Sequence, residues 1–184
     1  MSALVFYWVV CLPALAIAGS QGPRDVVVWN GAVRLSLPVL AEDPVQIGDA
    51  ENAFSVRPST NRPDLKYVIF VIREPLRADE KILSGEALKT KVEELLQTAG
   101  YEVIGITHAE DAFVADFRAV MEPGVLPWQK VGPGIARGKA KFVRTADQWV
   151  GSVLLCDPSQ WKDKATQSFI KIVEGTSVMR EVVP

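Results

Sequence analysis

The chain has 184 residues, of which 48% are hydrophobic and 23% are charged. This length suits one domain with its own core, and the apolar composition excludes an intrinsically disordered protein. Its 20 lysines and arginines stand against 22 acidic residues, a formal net charge of -2, so no field of one sign favours nucleic acid or an anionic membrane.

An apolar segment opens the chain and reads "SALVFYWVVCLPALAIAGS" from Ser2 to Ser20. Its length and the small-x-small ending Ala16-Ile17-Ala18 are typical of a signal peptide. We therefore expect a signal peptide over residues 1–18 and a single mature domain over residues 19–184, periplasmic or secreted, with no stable membrane insertion after cleavage. A retained membrane anchor is the alternative, which the short, proline-interrupted run disfavours.

The first half of the mature chain is rich in strand patterns. Asn30-Gly31 lies between two β-rich runs and predicts a hairpin from Val26 to Leu37. Residues 38–52 carry prolines, glycine and acids without a period, which indicates a loop, and "AFSVRPS" then predicts a short strand. The continuous apolar run "KYVIFVIREP" indicates a strand buried on both faces in the middle of a sheet.

A helix is predicted from Ser84 to Ala99, with Ser84 as its cap and Gly100 in the left-handed conformation after its end. Apolar residues fall on one stripe of this helix, which should pack onto a sheet: Leu88, Val92, Leu95, Leu96 and Ala99.

Strands return after this helix as "YEVIGITHAE" and "AFVADFRAVME", the second with the period-two alternation of a half-exposed strand. The segment "EPGVLPWQKVGPGIARG" contains three prolines and four glycines and indicates a long loop. "KAKFVRTADQWVGSVLLC" then predicts a hairpin that turns near residues 145–148.

The chain closes on a strand, a capped turn and an amphipathic helix. The strand ends at Cys156, Asp157 occupies the N-cap position, and Pro158 occupies the first helical position. Gly175 ends the helix, whose core-facing side is predicted to carry Trp161, Ala165, Phe169 and Ile172. Together the elements predict an α/β (α+β) domain with one mainly antiparallel sheet flanked by helices.

Motifs for enzyme chemistry are sparse. A catalytic Cys156 would need His108 as its base, since this is the sole histidine, and a buried packing thiol is the simpler interpretation. No G-x-S-x-G elbow, phosphate loop or dinucleotide fingerprint occurs, so we predict no cofactor and no metal site. The alternative is a small exported hydrolase or metal-dependent enzyme that uses His108 with nearby acids, namely Glu110, Asp111 or Asp116.

Binding residues are predicted around the long loop. Trp128 and Lys130 lie within it and Arg137 follows, and long irregular loops are often binding elements. Trp128 could instead anchor the loop in the core. Arg137, Lys139 and Lys141 alternate and so share one face of a strand, as a charged sheet edge or as an anion site.

Four segments carry a resemblance to a known fold. "VRLSLP", "GKAKFV", "WVGSVLL" and especially "DPSQWKDKATQSF" resemble the PsbP-like α/β/α sandwich superfamily. That superfamily includes exported bacterial domains, photosystem accessory subunits and a nuclear import factor, so the resemblance implies a fold and not a reaction. It favours a non-enzymatic exported accessory or binding domain, whose partner would be an envelope or secreted protein.

Overall fold

The computed structural model describes residues 15–16, 24–28, 33–37, 45–50, 53–58, 64–98, 100–109, 111–124, 126, 128–129 and 131–178. Within these residues the strands are β1 Leu15–Ala16, β2 Arg24–Val28, β3 Val33–Leu37, β4 Val45–Ala50, β5 Ala53–Pro58, β6 Tyr67–Pro75, β7 Tyr101–Ala109, β8 Ala112–Met121, β9 Gly134–Arg144, β10 Gln148–Cys156 and β11 Ser177–Val178. The helices are α1 Ala78–Ile82, α2 Gly85–Thr98 and α3 Lys164–Gly175, and a 3₁₀ turn spans Pro158–Gln160.

A large sheet forms the centre of the fold, with the strand order β1-β4-β5-β6-β10-β9-β8-β7. A small sheet has the order β11-β3-β2. Neighbouring strands pair antiparallel in both sheets. The predicted α+β class with a mainly antiparallel central sheet is therefore confirmed.

Two apolar layers lie on opposite faces of the large sheet. On one face α2 packs Leu88, Val92 and Leu96 against the buried side chains of β8, which alternate as predicted: Phe113, Ala115, Phe117 and Ala119. On the other face α3 packs Phe169, Ile172 and Val173 against β6 and β10, and it also contacts β3 of the small sheet. Each helix buries one apolar stripe, which is the arrangement of an α/β/α sandwich.

Most predicted elements are confirmed. The predicted N-terminal hairpin corresponds to the antiparallel pair β2 and β3, and its turn residues Asn30 and Gly31 lie outside the described residues. β6 is buried without interruption from Tyr67 to Val71 and lies inside the sheet between β5 and β10. Gly100 adopts a φ of +84° just after α2, as a residue that ends a helix often does.

Two loop boundaries and one short helix differ from the prediction. The predicted loop 38–52 is wrong over Val45–Ala50, where β4 pairs with β5 although Gly48 and Asp49, residue types depleted in strands, weaken its local strand signal. The long loop ends earlier than predicted, because β9 begins at Gly134. The helix α1 was not predicted; it is short, and its Glu80 carboxylate accepts hydrogen bonds from the backbone N–H of Arg77 and from Trp149 Nε1.

The last helix is also shorter than predicted. Asp157 caps the 3₁₀ turn as expected, because its Oδ1 accepts a hydrogen bond from the Ser159 backbone N–H at 2.9 Å. The chain then leaves helical geometry, and α3 begins only at Lys164, with Asp163 in the N-cap position. Trp161 therefore lies in the turn before α3 rather than on the helix, and it is half-buried.

Candidate functional site

Part of the sheet face that carries α3 remains exposed to solvent. We call this part the open face and define it by six residues of β7, β8 and β9: Glu102, Asp116, Arg118, Val120, Ile135 and Arg137. The next residues along β8 and β9, Ala119 and Ala136, point to the α2 face and are buried. The open face is thus one side of strands whose other side lies in the core.

An exposed apolar pair occupies one end of the open face. Val120 and Ile135 are directly opposite each other on β8 and β9, and they are 70% and 61% exposed. Single exposed apolar residues are ordinary on protein surfaces, whereas adjacent ones form a patch that partner proteins can cover. Val131, in the connection between these strands, is 83% exposed as well.

Two arginines form the next cross-strand pair. Arg118 of β8 lies opposite Arg137 of β9, and Glu102 of β7 lies on the other side of Arg118. Among the described residues, no carboxylate oxygen comes within 4.0 Å of either guanidinium group. The Arg137 guanidinium lies 4.4 Å above the Trp161 ring, and its buried Nε has no hydrogen-bond partner in the described part of the chain.

The following pair on this face is fully matched in charge. Lys139 Nζ lies 2.9 Å from Asp116 Oδ2 and 3.2 Å from Glu174 Oε1. Burial alone would lower the pKa of Lys139, but the hydrogen bonds to Asp116 and Glu174 outweigh burial and raise the pKa. Lys141 donates to the Glu174 carbonyl oxygen at 2.7 Å, and burial lowers the pKa of Lys141.

The predicted basic run therefore shares one strand face, as its alternation indicated. The interpretation as a charged sheet edge is wrong, however, because β9 lies between β8 and β10 inside the sheet. Lys139 binds Asp116 and Glu174, and Lys141 donates a hydrogen bond to the carbonyl oxygen of Glu174 in α3. Arg137 is the member of the run that makes neither an ion pair nor a side-chain hydrogen bond within the described residues.

The residues predicted for binding are not brought together. Trp128 is half-buried and packs against the core layer under α2, whereas Arg137 lies on the opposite face of the sheet beside Trp161. Lys130 lies outside the described residues. Sequence reasoning did not select Arg118, Val120 or Ile135, although the alternation of β8 already places Arg118 and Val120 on the side away from Phe113.

The groups proposed for an enzyme are dispersed. His108 is exposed and stacks on Phe113, with ring centroids 5.6 Å apart, on the α2 face of the sheet. Asp111 binds Arg144 at 2.6 Å, and Asp116 binds Lys139 on the opposite face. Glu110 lies outside the described residues, and within those residues no three His, Cys, Asp or Glu side chains form a group that could hold a metal ion.

Cys156 is fully buried in the layer under α3. Burial raises the pKa of its thiol to about 12. His108 lies on β7, which is separated from β10 by β8 and β9, and it lies on the opposite sheet face. The structure therefore excludes a Cys156–His108 dyad, and the predicted burial of this thiol is confirmed.

No protein-family model and no curated protein matches the sequence. Among solved structures, cyanobacterial PsbP (CyanoP) from Synechocystis sp. PCC 6803 is similar at a TM-score of 0.57 and 14% identity, over 91% of this chain and 99% of that one. The Saccharomyces cerevisiae Ran-binding protein Mog1p is similar at a TM-score of 0.50 and 15% identity, over 86% of this chain and 96% of that one.

A protein from Bacteroides thetaiotaomicron is also similar, with a TM-score of 0.50 and 10% identity over 88% of this chain, which spans 50% of the Bacteroides chain. In the described part of this chain, no helix has both the length and the apolar character needed to cross a membrane. At such low identities the likeness concerns the fold. The chain has the PsbP-like α/β/α sandwich fold, as the sequence resemblance predicted.

Proposed function

We propose that this chain is a non-enzymatic accessory domain that binds a protein partner through the open face, in an extracytoplasmic compartment. The observation that carries the proposal is the Val120–Ile135 pair, two large apolar side chains that are 70% and 61% exposed on adjacent strands. Covering them removes apolar area from water, at about 25 cal/mol per Å².

The surroundings of this pair support a binding role. The sheet beneath it is rigid, because the opposite sides of β8 and β9 are packed into the core under α2. A surface held in this way loses little conformational freedom on binding. Mog1p, which shares the fold, is named as a Ran-binding protein, so this sandwich is compatible with protein recognition.

The compartment is inferred from the sequence. Residues 1–18 have the pattern of a signal peptide, so the partner would be an envelope or secreted protein. The domain is proposed to need no cofactor, because the sequence carries no phosphate loop and no dinucleotide fingerprint.

Site-specific photo-crosslinking tests the proposal. A benzophenone amino acid is placed at Val120 or at Ile135 in cells that produce the protein, and at Glu86 on α2 as an exposed control. We expect one discrete protein adduct from positions 120 and 135 and none from position 86. Adducts from all three positions alike, or from none, would contradict a partner on the open face.

A second variant tests the contribution of the apolar pair. With the crosslinker at Glu102, an exposed residue of the open face opposite Arg118, the double change Val120→Ser and Ile135→Ser should reduce the adduct by about tenfold or more. Both side chains are exposed, so the fold should be unaffected. An undiminished adduct would show that the pair is not part of the interface.

A further inference from the structure

We infer that the partner contributes a carboxylate, from an aspartate or glutamate beside an apolar residue, which binds between Arg118 and Arg137. This inference rests on the proposed function and specifies the chemistry of the partner. It follows from the way charge is distributed over successive cross-strand pairs of the open face.

The positive charges of the Arg118–Arg137 pair are not matched by acidic side chains of the described residues, whereas the charges of the adjacent Asp116–Lys139 pair are matched. Like charges directly opposite each other on paired strands are destabilising. Lys139, in the next pair, is matched by Asp116 and Glu174 at 2.9 and 3.2 Å. Arg118 and Arg137 have no such ion pair among the described residues, so a carboxylate placed between them would complete the pattern.

The Arg137 guanidinium is held in position before a carboxylate binds. Its guanidinium is stacked over Trp161 at 4.4 Å, and its Nε is buried without an acceptor in the described part of the chain. A guanidinium that is already held in place loses less side-chain freedom on binding, and its planar donors suit the two oxygens of a carboxylate. An incoming carboxylate would therefore find a prepositioned donor.

The neighbouring groups favour an acidic protein segment over a nucleic acid. The Val120–Ile135 pair lies in the adjacent row, so the same segment can place an apolar side chain there while its acid reaches the arginines. Glu102 flanks Arg118 and would repel a second negative charge, and the chain as a whole carries a net charge of -2. A run of phosphates would gain no attraction from the net charge, and Glu102 would repel the phosphate next to the one bound by the arginines.

The first experiment uses synthetic peptides as probes for the full protein. One array holds capped nine-residue peptides with Glu or Asp beside Leu or Ile in a Gly/Ser background, and the matched array carries Gln or Asn instead. Binding is followed by NMR through the side-chain N–H signals of Arg118, Arg137 and Trp161. Inorganic phosphate and a single-stranded oligonucleotide are added separately as alternative anions.

We expect the acidic peptides, at up to millimolar concentration, to shift these signals and the amide peptides to shift them far less. Arg118→Gln and Arg137→Gln should each weaken the binding by about tenfold, and Lys89→Gln on α2 should not change it. Glu102→Gln should strengthen it. No shift, equal shifts with both arrays, or stronger effects of phosphate or oligonucleotide than of the acidic peptides would overturn the inference.

The second experiment separates this inference from the proposed function. Arg118→Gln is introduced beside the crosslinker at Val120, with Lys89→Gln as its control. A large loss of the adduct in Arg118→Gln alone supports the carboxylate contact. If the adduct forms undiminished in both variants, the open face binds a protein but the inferred carboxylate is wrong, whereas the absence of any adduct contradicts the proposed function itself.

Discussion

Arg137 illustrates what a single residue contributes to the open face. Its Cα partners are Arg118 on one side and Cys156 on the other, so the side chain lies at the border between the exposed strands and the layer under α3. Trp161 covers it from the turn before α3. The residue therefore connects the buried part of this sheet face with the part that remains open.

Cys156 gives a prediction of pH dependence. Burial raises the pKa of its thiol from 9.0 to about 12, so the native protein keeps the proton in a range where the unfolded chain loses it. Deprotonation then favours the unfolded state as the pH rises. The contribution of the thiol is complete below pH 9.0 and is lost toward pH 12, by up to about 1.4 kcal/mol per pH unit.

Urea denaturation of the native sequence and of Cys156→Ala measures this effect between pH 9.0 and 10.0, below the ordinary pKa of the buried Tyr101. We expect the free energy of unfolding to fall more steeply with pH in the native sequence than in the variant. Parallel slopes would show that the thiol already titrates normally in the folded protein.

At the scale of elements, glycines allow large aromatic side chains to lie flat on the sheet. Gly138 of β9 lies opposite the fully buried Phe117 of β8, and a Cβ at position 138 would overlap the Phe117 ring. Gly151 of β10 has the same relation to Phe142, whose ring would lie 2.7 Å from such an atom. The close approach of ring and backbone explains these two glycines inside strands.

Gly138→Ala should therefore destabilise the domain by about 1 to 3 kcal/mol, the usual cost of overpacking a core. Gly105→Ala on the edge strand β7 is the matched control, since no atom lies within 4 Å of the added methyl group there. Thermal or urea denaturation of both variants measures the difference. An equal midpoint for the two would contradict the packing of Phe117 on Gly138.

The two aromatic residues at the end of the chain, Phe169 in α3 and Trp161 in the turn before it, are buried to different extents. Phe169 is 3% exposed and its ring lies 3.9 Å from that of Tyr67, whereas Trp161 is half-buried in the preceding turn. Phe169→Ala should cost about 3 to 5 kcal/mol, and Trp161→Ala about 1 to 2 kcal/mol, because less apolar area leaves the core.

Equilibrium denaturation of these two variants checks the order, with Lys171→Ala as an exposed control on the same helix. Both aromatics pack against the layer under α3, as predicted, so equal costs for Phe169→Ala and Trp161→Ala would contradict the difference in burial between them. A cost for Lys171→Ala as large as that of Phe169→Ala would show that the exposed side of α3 is misassigned.

At the scale of the whole molecule, hydrogen bonds from side chains, as well as apolar packing, connect separate elements to the sheet. The Arg144 guanidinium donates to Asp111 in the β7–β8 turn, to the carbonyl oxygen of Glu80 in α1 and to that of Leu83 just after α1. Gln160 links the 3₁₀ turn to the start of β6 through Asp64 and Lys66. These bonds join segments that are far apart in sequence.

Export is the prediction that concerns the chain as a whole. Residues 1–18 are expected to be removed, because the apolar run ends in Ala16-Ile17-Ala18. Mass spectrometry of the protein from an envelope or secreted fraction should find a mature chain that begins near Gly19. A full-length chain that requires detergent for extraction would contradict cleavage.

The sequence by itself determined the fold class, the N-terminal hairpin, the buried strand β6, the helix α2 and the burial of Cys156. These features depend on hydrophobic periodicity, on turn residues such as Asn30-Gly31 and on continuous apolar runs, and each of these signals is carried by residues that are close together in the sequence. It failed at β4, because a short strand that contains Gly48 and Asp49 is stabilised by pairing with β5 rather than by its own composition.

Only the tertiary structure decided where the candidate site lies. The alternation of β8 places Arg118 and Val120 on one side of that strand, but only strand order and register place Arg137 and Ile135 directly opposite them. In the same way, α3 covers β6 and β10 and leaves β8 exposed, while Trp128 packs on the other face. Pairing and layer position are long-range properties, and local sequence patterns do not encode them.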